Sequence, residues 1–359
     1  MTNDYSQEYN VLGLMSGTSL DGLDIAFCRF FFENDSWSYE IVEAETIVYS
    51  AAWKQKLLNL EKTDALTFQQ THVEYGDYVG DLIVDFSNKY KINASLVSSH
   101  GHTIIHQPQK KLTVQIGSGS AIAAKCNLPV VCDFRTMDVA LGGQGAPLVP
   151  IGDKLLFAEY DYCLNLGGFA NVSYDYKNDR IAYDICPVNI VMNVLCNNVG
   201  LEYDNGGNIA KTGIINNDLL TELNSIYFYH IPLDTPKSLG KEWVVEFIFP
   251  ILERYKISTP DLLATFCEHI AIQISQVLFF KPYGKMLVTG GGTYNAFLIE
   301  RIKIHSQHNL IVPDKKSIEF KEALIFAFLG VLRIRNEINC LKSVTGASKD
   351  SSGGAVYFN

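Results

Sequence analysis

Three glycine-centred turns hold the residues best placed to do chemistry. The first is Gly13-Leu14-Met15-Ser16-Gly17-Thr18-Ser19-Leu20-Asp21-Gly22, running on into Leu23 and Asp24. The second centres on Gly167-Gly168, between Asn165 and Asn171, and the third is Gly290-Gly291-Gly292, with Asn295 behind it. A turn built of Gly, Ser and Thr brings backbone N–H groups and hydroxyls together at close range, which suits phosphate oxygens. Asp21 suits Mg2+, held directly or through water. None of the three is a Walker loop, because no Gly-Lys-Ser/Thr follows. Singly, each reads equally well as an ordinary turn. Together, two clamps around a triphosphate and a third turn near the nucleoside form the layout of an actin-like ATPase. On that layout ATP contacts are expected at Gly17, Thr18, Ser19, Leu20, Asp21, Gly22, Leu23, Asp24, Asn165, Gly167, Gly168, Asn171, Gly290, Gly291, Gly292 and Asn295.

Such turns need strands and helices to hold them. An apolar run at 11–15 and an aromatic, β-branched run at 23–30 flank the first turn, giving strand, turn, strand. The same pattern returns at 162–174, where Val172, Tyr174 and Tyr176 alternate with Ser173 and Asp175. The third turn follows a strand but precedes a helix-like run at 297–302. Helices are expected at 52–62, 64–90 and 119–126. Another starts at Thr259-Pro260-Asp261, with a cap, an early Pro and a first-turn acid, and runs to about Phe280. Short strands are expected at 95–98 and 129–133, with a loop through Ser99-His100-Gly101-His102-Thr103 that Pro108 closes. Strands mixed with helices argue α/β layers. The repeated strand–turn–strand device suggests one copy in each half, and 359 residues fit two domains.

Composition excludes several classes. Apolar residues make up 47% of the chain, enough for a substantial core and too many for a disordered chain. Lys and Arg number 29 against 39 Asp and Glu, a net charge of −10 that disfavours a nucleic-acid partner. The eight cysteines (28, 126, 132, 163, 186, 196, 267 and 340) include no CxxC pair and mostly sit in apolar runs. They read as buried thiols in a reducing compartment. The N-terminus is polar, unlike a secretory leader, and the longest apolar run, at 323–332, is too short to span a bilayer. A cytoplasmic protein without a membrane partner is the expectation.

The chain resembles the anhydro-N-acetylmuramic acid kinases, a family of the sugar kinase/Hsp70/actin superfamily. Residues 13–22 carry the family's Met-Ser-Gly-Thr-Ser-x-Asp-Gly signature. Further matches follow in family order: Asp133-Phe134-Arg135-x-x-Asp138, the run from Ala140 to Pro150, Asn165-x-Gly167-Gly168-x-Ala170-Asn171, and Pro236-Lys237-Ser238-x-Gly240. Gly290-Gly291-Gly292-x-x-Asn295, Glu322-Ala323-Leu324-x-Phe326-Ala327 and Ser343-Val344-Thr345-Gly346-Ala347-Ser348 complete the series.

The resemblance implies a two-domain actin-like (ribonuclease H-like) ATPase with an interdomain cleft. It also implies a reaction in which ATP and water open the 1,6-anhydro ring of anhydro-N-acetylmuramic acid to give the 6-phosphate, and a homodimer. The expected domains are 1–133 with 341–359, and 134–340. A water attacking an anomeric carbon needs a base, usually a carboxylate. The resemblance gives that role to Asp184, in a loop where the family has Asp-Thr-Gly-Pro-Gly-Asn. Here Asp184, Pro187 and Asn189 remain, while Ile185, Cys186 and Val188 replace Thr, Gly and Gly. Losing two glycines removes positive-φ freedom, so either a rebuilt loop or an altered sugar pocket is expected. Without the resemblance, Asp184 reads as a cap on a helix starting near Pro187.

Arg135 offers a two-pronged grip on a carboxylate, and the family's substrate carries one; Arg135 and Asp138 read alternatively as a surface ion pair. Asn189, Lys237 and Glu322 are further expected sugar contacts. His100, His102 and His106 have a spacing that suits zinc, but no familiar partner joins them. The family has His-Gly-Gln-Thr here, which points to His100, His102 and Thr103 as substrate-loop residues, with His102 departing from Gln. Three alternatives stay open: a superfamily kinase acting on another sugar, a nucleotide-binding homologue without turnover, and a His-cluster metal hydrolase.

Overall fold

The computed structural model describes residues 7–231, 237–278 and 280–358. Pro236 of the Pro-Lys-Ser motif lies outside them. In chain order the elements are β1 (Gln7–Ser16), β2 (Gly22–Glu33), β3 (Ser36–Val48), α1 (Ala51–Asn59), α2 (Ala65–Tyr90), β4 (Leu96–Gln107), β5 (Leu112–Ile116), α3 (Gly119–Cys126), β6 (Val130–Cys132), α4 (Thr136–Ala140) and α5 (Val149–Leu156). There follow β7 (Tyr162–Leu166), β8 (Phe169–Tyr176), β9 (Asp179–Pro187), α6 (Asn189–Asn197), α7 (Asn217–Asn224), α8 (Lys241–Trp243), α9 (Phe249–Arg254), α10 (Thr259–Val277), β10 (Lys285–Thr289), α11 (Ala296–Ser306), β11 (Asn309–Ile311), α12 (Lys315–Ile334), α13 (Lys342–Thr345) and β12 (Ala355–Tyr357).

Two compact units result, one made of the chain up to Leu156 plus the chain from Phe320, the other of 157–319. Their sheets share one plan. In the first, β1, β2 and β3 form an antiparallel meander, and β4 then β6 lie parallel on the other side of β1. In the second, β7, β8 and β9 form the meander, and β10 then β11 lie parallel beside β7. The orders β3-β2-β1-β4-β6 and β9-β8-β7-β10-β11 thus match, the duplicated plan expected of an actin-like ATPase; the first sheet adds β12 beyond β6 and β5 beside β4. Each unit has its own core. Leu12, Ile25, Val97 and Phe86 are buried in the first, and Leu164, Val172, Phe266 and Val288 in the second.

The unit boundaries fall at 156/157 and 319/320 instead of the expected 133/134 and 340/341. Buried polar bonds keep α4 and its following loop with the first unit. Asp138, 1% exposed, accepts from Gly145 N–H at 2.7 Å and from Thr345 Oγ1 at 2.7 Å. The Lys321–Asp153 ion pair, buried at both ends, ties α5 to α12 in the same unit. Helix α12 itself is interrupted at Phe320 (φ −112°, ψ 16°), where one unit ends and the other resumes. Gly13 explains how tightly α12 then seats: a Cβ there would collide with the Ala323 carbonyl.

Other expectations need correction. The segment 99–103 is not a loop but the middle of β4, because its pairing with β1 continues through Ser16↔His102 across a bulge and pairing with β5 follows. Asp184 lies inside β9, paired with β8, not in a loop. The strands β3 and β9 were not anticipated. Ser258 caps α10 in place of Thr259, its hydroxyl accepting from Asp261 N–H at 3.2 Å, and the helix ends at Val277. Seven cysteines are buried and Cys126 is partly so, none of them bonded to another. Among the described residues no helix is long and apolar enough to cross a membrane.

Candidate functional site

In the first unit, β1 and β2 meet at a tip of five residues. Thr18, Ser19 and Asp21 are exposed there, and Leu20 adopts φ +61° with its N–H donating to Gly17 O at 3.3 Å. The N–H groups of Gly17, Thr18, Ser19 and Asp21 donate to nothing among the described residues. Adjacent N–H groups left open at a turn form an anion cradle. Gly22 opens β2, and Leu23 points into the core at 2% exposure. Asp24 accepts from Thr46 Oγ1 at 2.6 Å.

Behind the tip, β4 and α4 bring His100 and Arg135 together. Arg135 Nε donates to His100 Nε2 at 3.0 Å, and Arg135 Nη1 donates to Gly145 O at 2.6 Å. His100 Nδ1, within 2.8 Å of Gly101 O, then carries the ring proton. Burial and the neighbouring guanidinium hold His100 well below the usual histidine value. Desolvation also lowers Arg135, to about 10. With Nε and one Nη1 proton engaged, Nη2 and the second Nη1 proton are the guanidinium donors without a described bond. Glu322 is open to solvent yet ringed by protein, and desolvation holds it above the ordinary glutamate value while Arg135 pulls it back. The Asp24 charge raises it further. Asp24, His100, Arg135 and Glu322 thus form one group.

Asp138 does not join that group as a ligand. Both carboxylate oxygens are committed inward, to Gly145 N–H, Thr345 Oγ1 and the Cys340 thiol at 3.1 Å. It organises the 141–147 turn and the chain near α13 rather than forming a surface pair. Thr103 Oγ1 accepts from Gln115 Nε2 at 3.3 Å. His102 Nδ1 lies 2.8 Å from Ser16 Oγ, and His106 Nδ1 lies 3.1 Å from Thr113 Oγ1. The three histidines have separate partners, and the described residues contain no group of three or more His, Cys, Asp or Glu able to hold a metal.

In the second unit, strand register aligns four polar residues on one row: Thr289↔Asn165↔Asn171↔Asp184, across β10, β7, β8 and β9. Directly paired residues point to the same face, so side chains scattered over some 120 positions of sequence converge. The glycine turns close on this row. Gly290 sits at φ +85°, and a Cβ there would come within 2.6 Å of Asn165 Oδ1. A Cβ at Gly291 would lie 3.8 Å from Asn189 Nδ2, and one at Gly292 would lie 2.7 Å from Leu166 Cβ.

The Gly167-Gly168 tip is not an open cradle. Gly167 N–H donates to Phe169 O at 3.1 Å. The glycine carbonyls accept from the start of α6: Val188 N–H to Gly168 O at 2.8 Å and Asn189 N–H to Gly167 O at 3.3 Å. Asn189 Nδ2 donates to Leu166 O at 3.3 Å. Asn295 is 6% exposed and caps α11, its Oδ1 accepting from Leu298 N–H at 2.9 Å.

Asp184 is held by one oxygen. Its Oδ2 accepts from Leu239 N–H at 2.8 Å and from Ser238 Oγ at 3.3 Å, while Oδ1 bears no hydrogen bond among the described residues. Desolvation raises its carboxyl above the ordinary value and the two donors partly offset that. The side chain caps the 237–239 segment, not α6. Ser238, not among the expected site residues, stands inside the Lys237 motif and supplies one of these donors. Lys237 Nζ lies over the Tyr183 and Phe228 rings at 5.3 and 5.1 Å, and desolvation lowers its amine. Lys237 and Ile185 line a cavity of about 170 Å³ with Tyr229, His230 and Gln273. Cys186 and Val188 are fully buried in the core, and no residue from 184 to 188 has positive φ. The segment is therefore rebuilt as a bulged strand end, its register on β8 shifting between Asp184 and Cys186 and Val188 (φ −130°, ψ −99°) turning the chain into α6, with larger side chains filling the core.

The family model described as anhydro-N-acetylmuramic acid kinase matches residues 9–359. Relatives carrying that name include one from Vibrio vulnificus (strain YJ016), 32% identical over 366 residues, covering 96% of this chain and 97% of that protein. One from Vibrio cholerae is 34% identical over 370 residues, covering 97% and 98%. Among solved structures, a ligand-bound xylulose kinase from Lactobacillus acidophilus aligns with 12% identity and a TM-score of 0.46, covering 98% of this chain and 94% of that one. The match of motif, length and order across almost every residue means that this chain belongs to the anhydro-N-acetylmuramic acid kinase family.

Proposed function

We propose that this protein uses ATP and water to open 1,6-anhydro-N-acetylmuramic acid and phosphorylate O6, yielding N-acetylmuramic acid 6-phosphate for peptidoglycan recycling. Family membership supports the substrate. The observation that carries the chemistry is the Asp184 carboxylate, fixed through Oδ2 and open at Oδ1. A raised, partly desolvated carboxylate is a stronger base than a solvated one. Oδ1 takes a proton from water as that water attacks the anomeric carbon. The C1–O6 bond breaks, and O6 takes the γ-phosphoryl group, so no separate acid is needed. Phosphoryl transfer then needs positioning and charge neutralisation rather than covalent help.

The open N–H groups at 17–19 and 21 hold phosphate oxygens, and Asn165, Asn171 and the Gly290–Gly292 turn serve the nucleotide. Arg135, oriented by His100, serves the sugar, as do Glu322 and, in the second unit, Lys237. Mg2+ fits the first tip because exposed Asp21 is one carboxylate without a protein cage around it, and Mg2+ is commonly bound by one or two carboxylates plus phosphates. Bound there, it would neutralise phosphate charge. The reading includes a homodimer working in the cytoplasm, where buried thiols stay reduced.

Purified protein given ATP, Mg2+ and the anhydro sugar is expected to release ADP and the ring-opened 6-phosphate in equal amounts. ADP release that does not depend on the sugar overturns the substrate assignment. Transfer to plain sugars in preference to the anhydro sugar overturns the hydrolytic step.

A further inference from the structure

A line of buried hydroxyls ends directly beneath the first hairpin. Tyr75, on α2, lies with its hydroxyl 2.5 Å from that of Tyr49, which follows β3. Tyr49 OH lies 2.6 Å from Ser16 Oγ, and Ser16 Oγ lies 2.8 Å from His102 Nδ1. All four side chains are at most 3% exposed. Ser16 and His102 face each other because the register of β1 on β4 shifts by a bulge between Leu14 and Ser16. Ser16 is the last residue of β1, so the open N–H groups begin at the next peptide.

Either direction leaves one proton without a described protein acceptor. If Tyr75 donates to Tyr49, Tyr49 to Ser16 and Ser16 to His102 Nδ1, that proton is the one on His102 Nε2; in the reverse direction it is the Tyr75 hydroxyl proton. Tyr75 is sealed at 1% exposure, whereas His102 Nε2 is not among the buried side-chain atoms left without a partner. The first direction puts the unshared proton where water can meet it, so His102 acts as the terminal acceptor with its ring proton on Nε2. Burial keeps the whole line neutral: it raises Tyr49 to about 12 and lowers His102 to about 4. A buried, fully used chain of hydrogen bonds is stiff, and a gap in it leaves an unsatisfied group.

We propose that His102 is a positioning residue for the triphosphate, fixing the Ser16–Gly17 peptide through the Tyr75–Tyr49–Ser16 line rather than touching the sugar. This rests on the reading that the first hairpin holds ATP. It changes the expected role of His102 from a sugar contact to a support beneath the first hairpin, and a Gln side chain at 102 would present the same kind of acceptor to Ser16.

The experiment compares His102→Ala, His102→Gln and Tyr49→Phe with the unaltered chain. Affinity for the imido analogue of ATP with Mg2+ is measured by calorimetry, KM is measured for ATP and for the anhydro sugar, and folding is checked by thermal melting. His102→Ala is expected to weaken analogue binding and raise the ATP KM by about tenfold, the size of one lost hydrogen bond. The sugar KM stays within about twofold, while His102→Gln restores ATP affinity to within about threefold on the same scale. Tyr49→Phe gives the same ATP-side loss in smaller measure and serves if His102→Ala fails to fold. A rise confined to the sugar KM overturns the proposal in favour of direct sugar contact. So does unchanged analogue affinity in folded Tyr49→Phe and His102→Ala. If the unaltered chain binds no analogue, the ATP reading falls and this inference with it; if it binds the analogue but phosphorylates no sugar, only the substrate reading falls.

Discussion

At the first glycine hairpin, side chains beneath the strand end provide the anchor and the tip peptides stay open. Ser16 is held by His102 and Tyr49, while Gly17, Thr18, Ser19 and Asp21 keep unused N–H groups. At the second, main-chain bonds provide the anchor, with the glycine carbonyls capping α6 and Gly290 pressed against Asn165. Two turns of similar composition, on the same strand of the same sheet plan, are thus suited to different tasks. The first leaves backbone donors free for the proposed phosphate contacts. The second is shaped to hold a row of side chains, Asn165, Asn171 and Asp184, at fixed spacing.

The largest effect that tests this division belongs to the second unit. Asp184→Asn is expected to lower kcat by roughly 10²- to 10⁴-fold, the usual worth of a positioned general base, with analogue affinity unchanged. Equal loss of both would erase the distinction between the hairpins. The pH profile sharpens it: with Asp184 as the proposed base, only the ionised carboxylate works, so kcat/KM is expected to rise with pH through its raised value. Removing the Ser238 donor by Ser238→Ala should move that acid limb to still higher pH.

Next comes Gly290→Ala. The residue has φ +85° and ψ 163°, a region reserved almost wholly for glycine, and its new Cβ would meet backbone at Leu166. Denaturant unfolding should show a loss of about 2–3 kcal/mol.

Acid stability compares the units directly. His102 falls to about 4 and His269, in the second unit, to about 3, against 6.5 when unfolded. Between those values the unfolded chain binds more protons, so stability is complete above about pH 6.5 and drains away as pH falls toward 4 and below. His102→Gln should remove roughly 3 kcal/mol of that pH dependence and leave the second unit's share in place, as seen in melting curves from pH 7 to 4.

The smallest effect on stability is expected for Gly17→Ala. Gly17 lacks positive φ, and a Cβ there meets only Ser19 Oγ at 3.6 Å. Unfolding should shift by less than about 0.5 kcal/mol, while analogue binding weakens because the methyl enters the cradle. A large stability loss would mean that the first tip is packed like the second.

Much of this was legible in the residues. Apolar runs flanking Gly turns marked both hairpins, apolar spacing marked α2 and a capped start marked α10, whereas the long α12 stood only as an apolar run at 323–332. The strand β3 escaped because none of its residues is fully buried and Glu40, Glu43 and Glu45 interrupt the apolar signal on an edge strand. The strand β9 escaped because the resemblance led to a loop around Asp184, whereas Ile185, Cys186 and Val188 pack as strand and core. Residue type named Asn165, Asn171 and Asp184 separately, but only register aligns them. Type also could not reveal that Asp138 and Asn295 turn their oxygens inward, since an acid near a Gly-rich turn looks the same whether it meets a ligand or its own backbone.

The buried thiols have a practical consequence. Cys28, Cys132 and Cys340 are sealed inside the first unit, and Cys163, Cys186, Cys196 and Cys267 inside the second. A maleimide added to the native protein would reach them only when the surrounding layer breathes. The order in which these seven sulfurs are alkylated would time the opening of each half separately, and would report which half a nucleotide or a sugar slows.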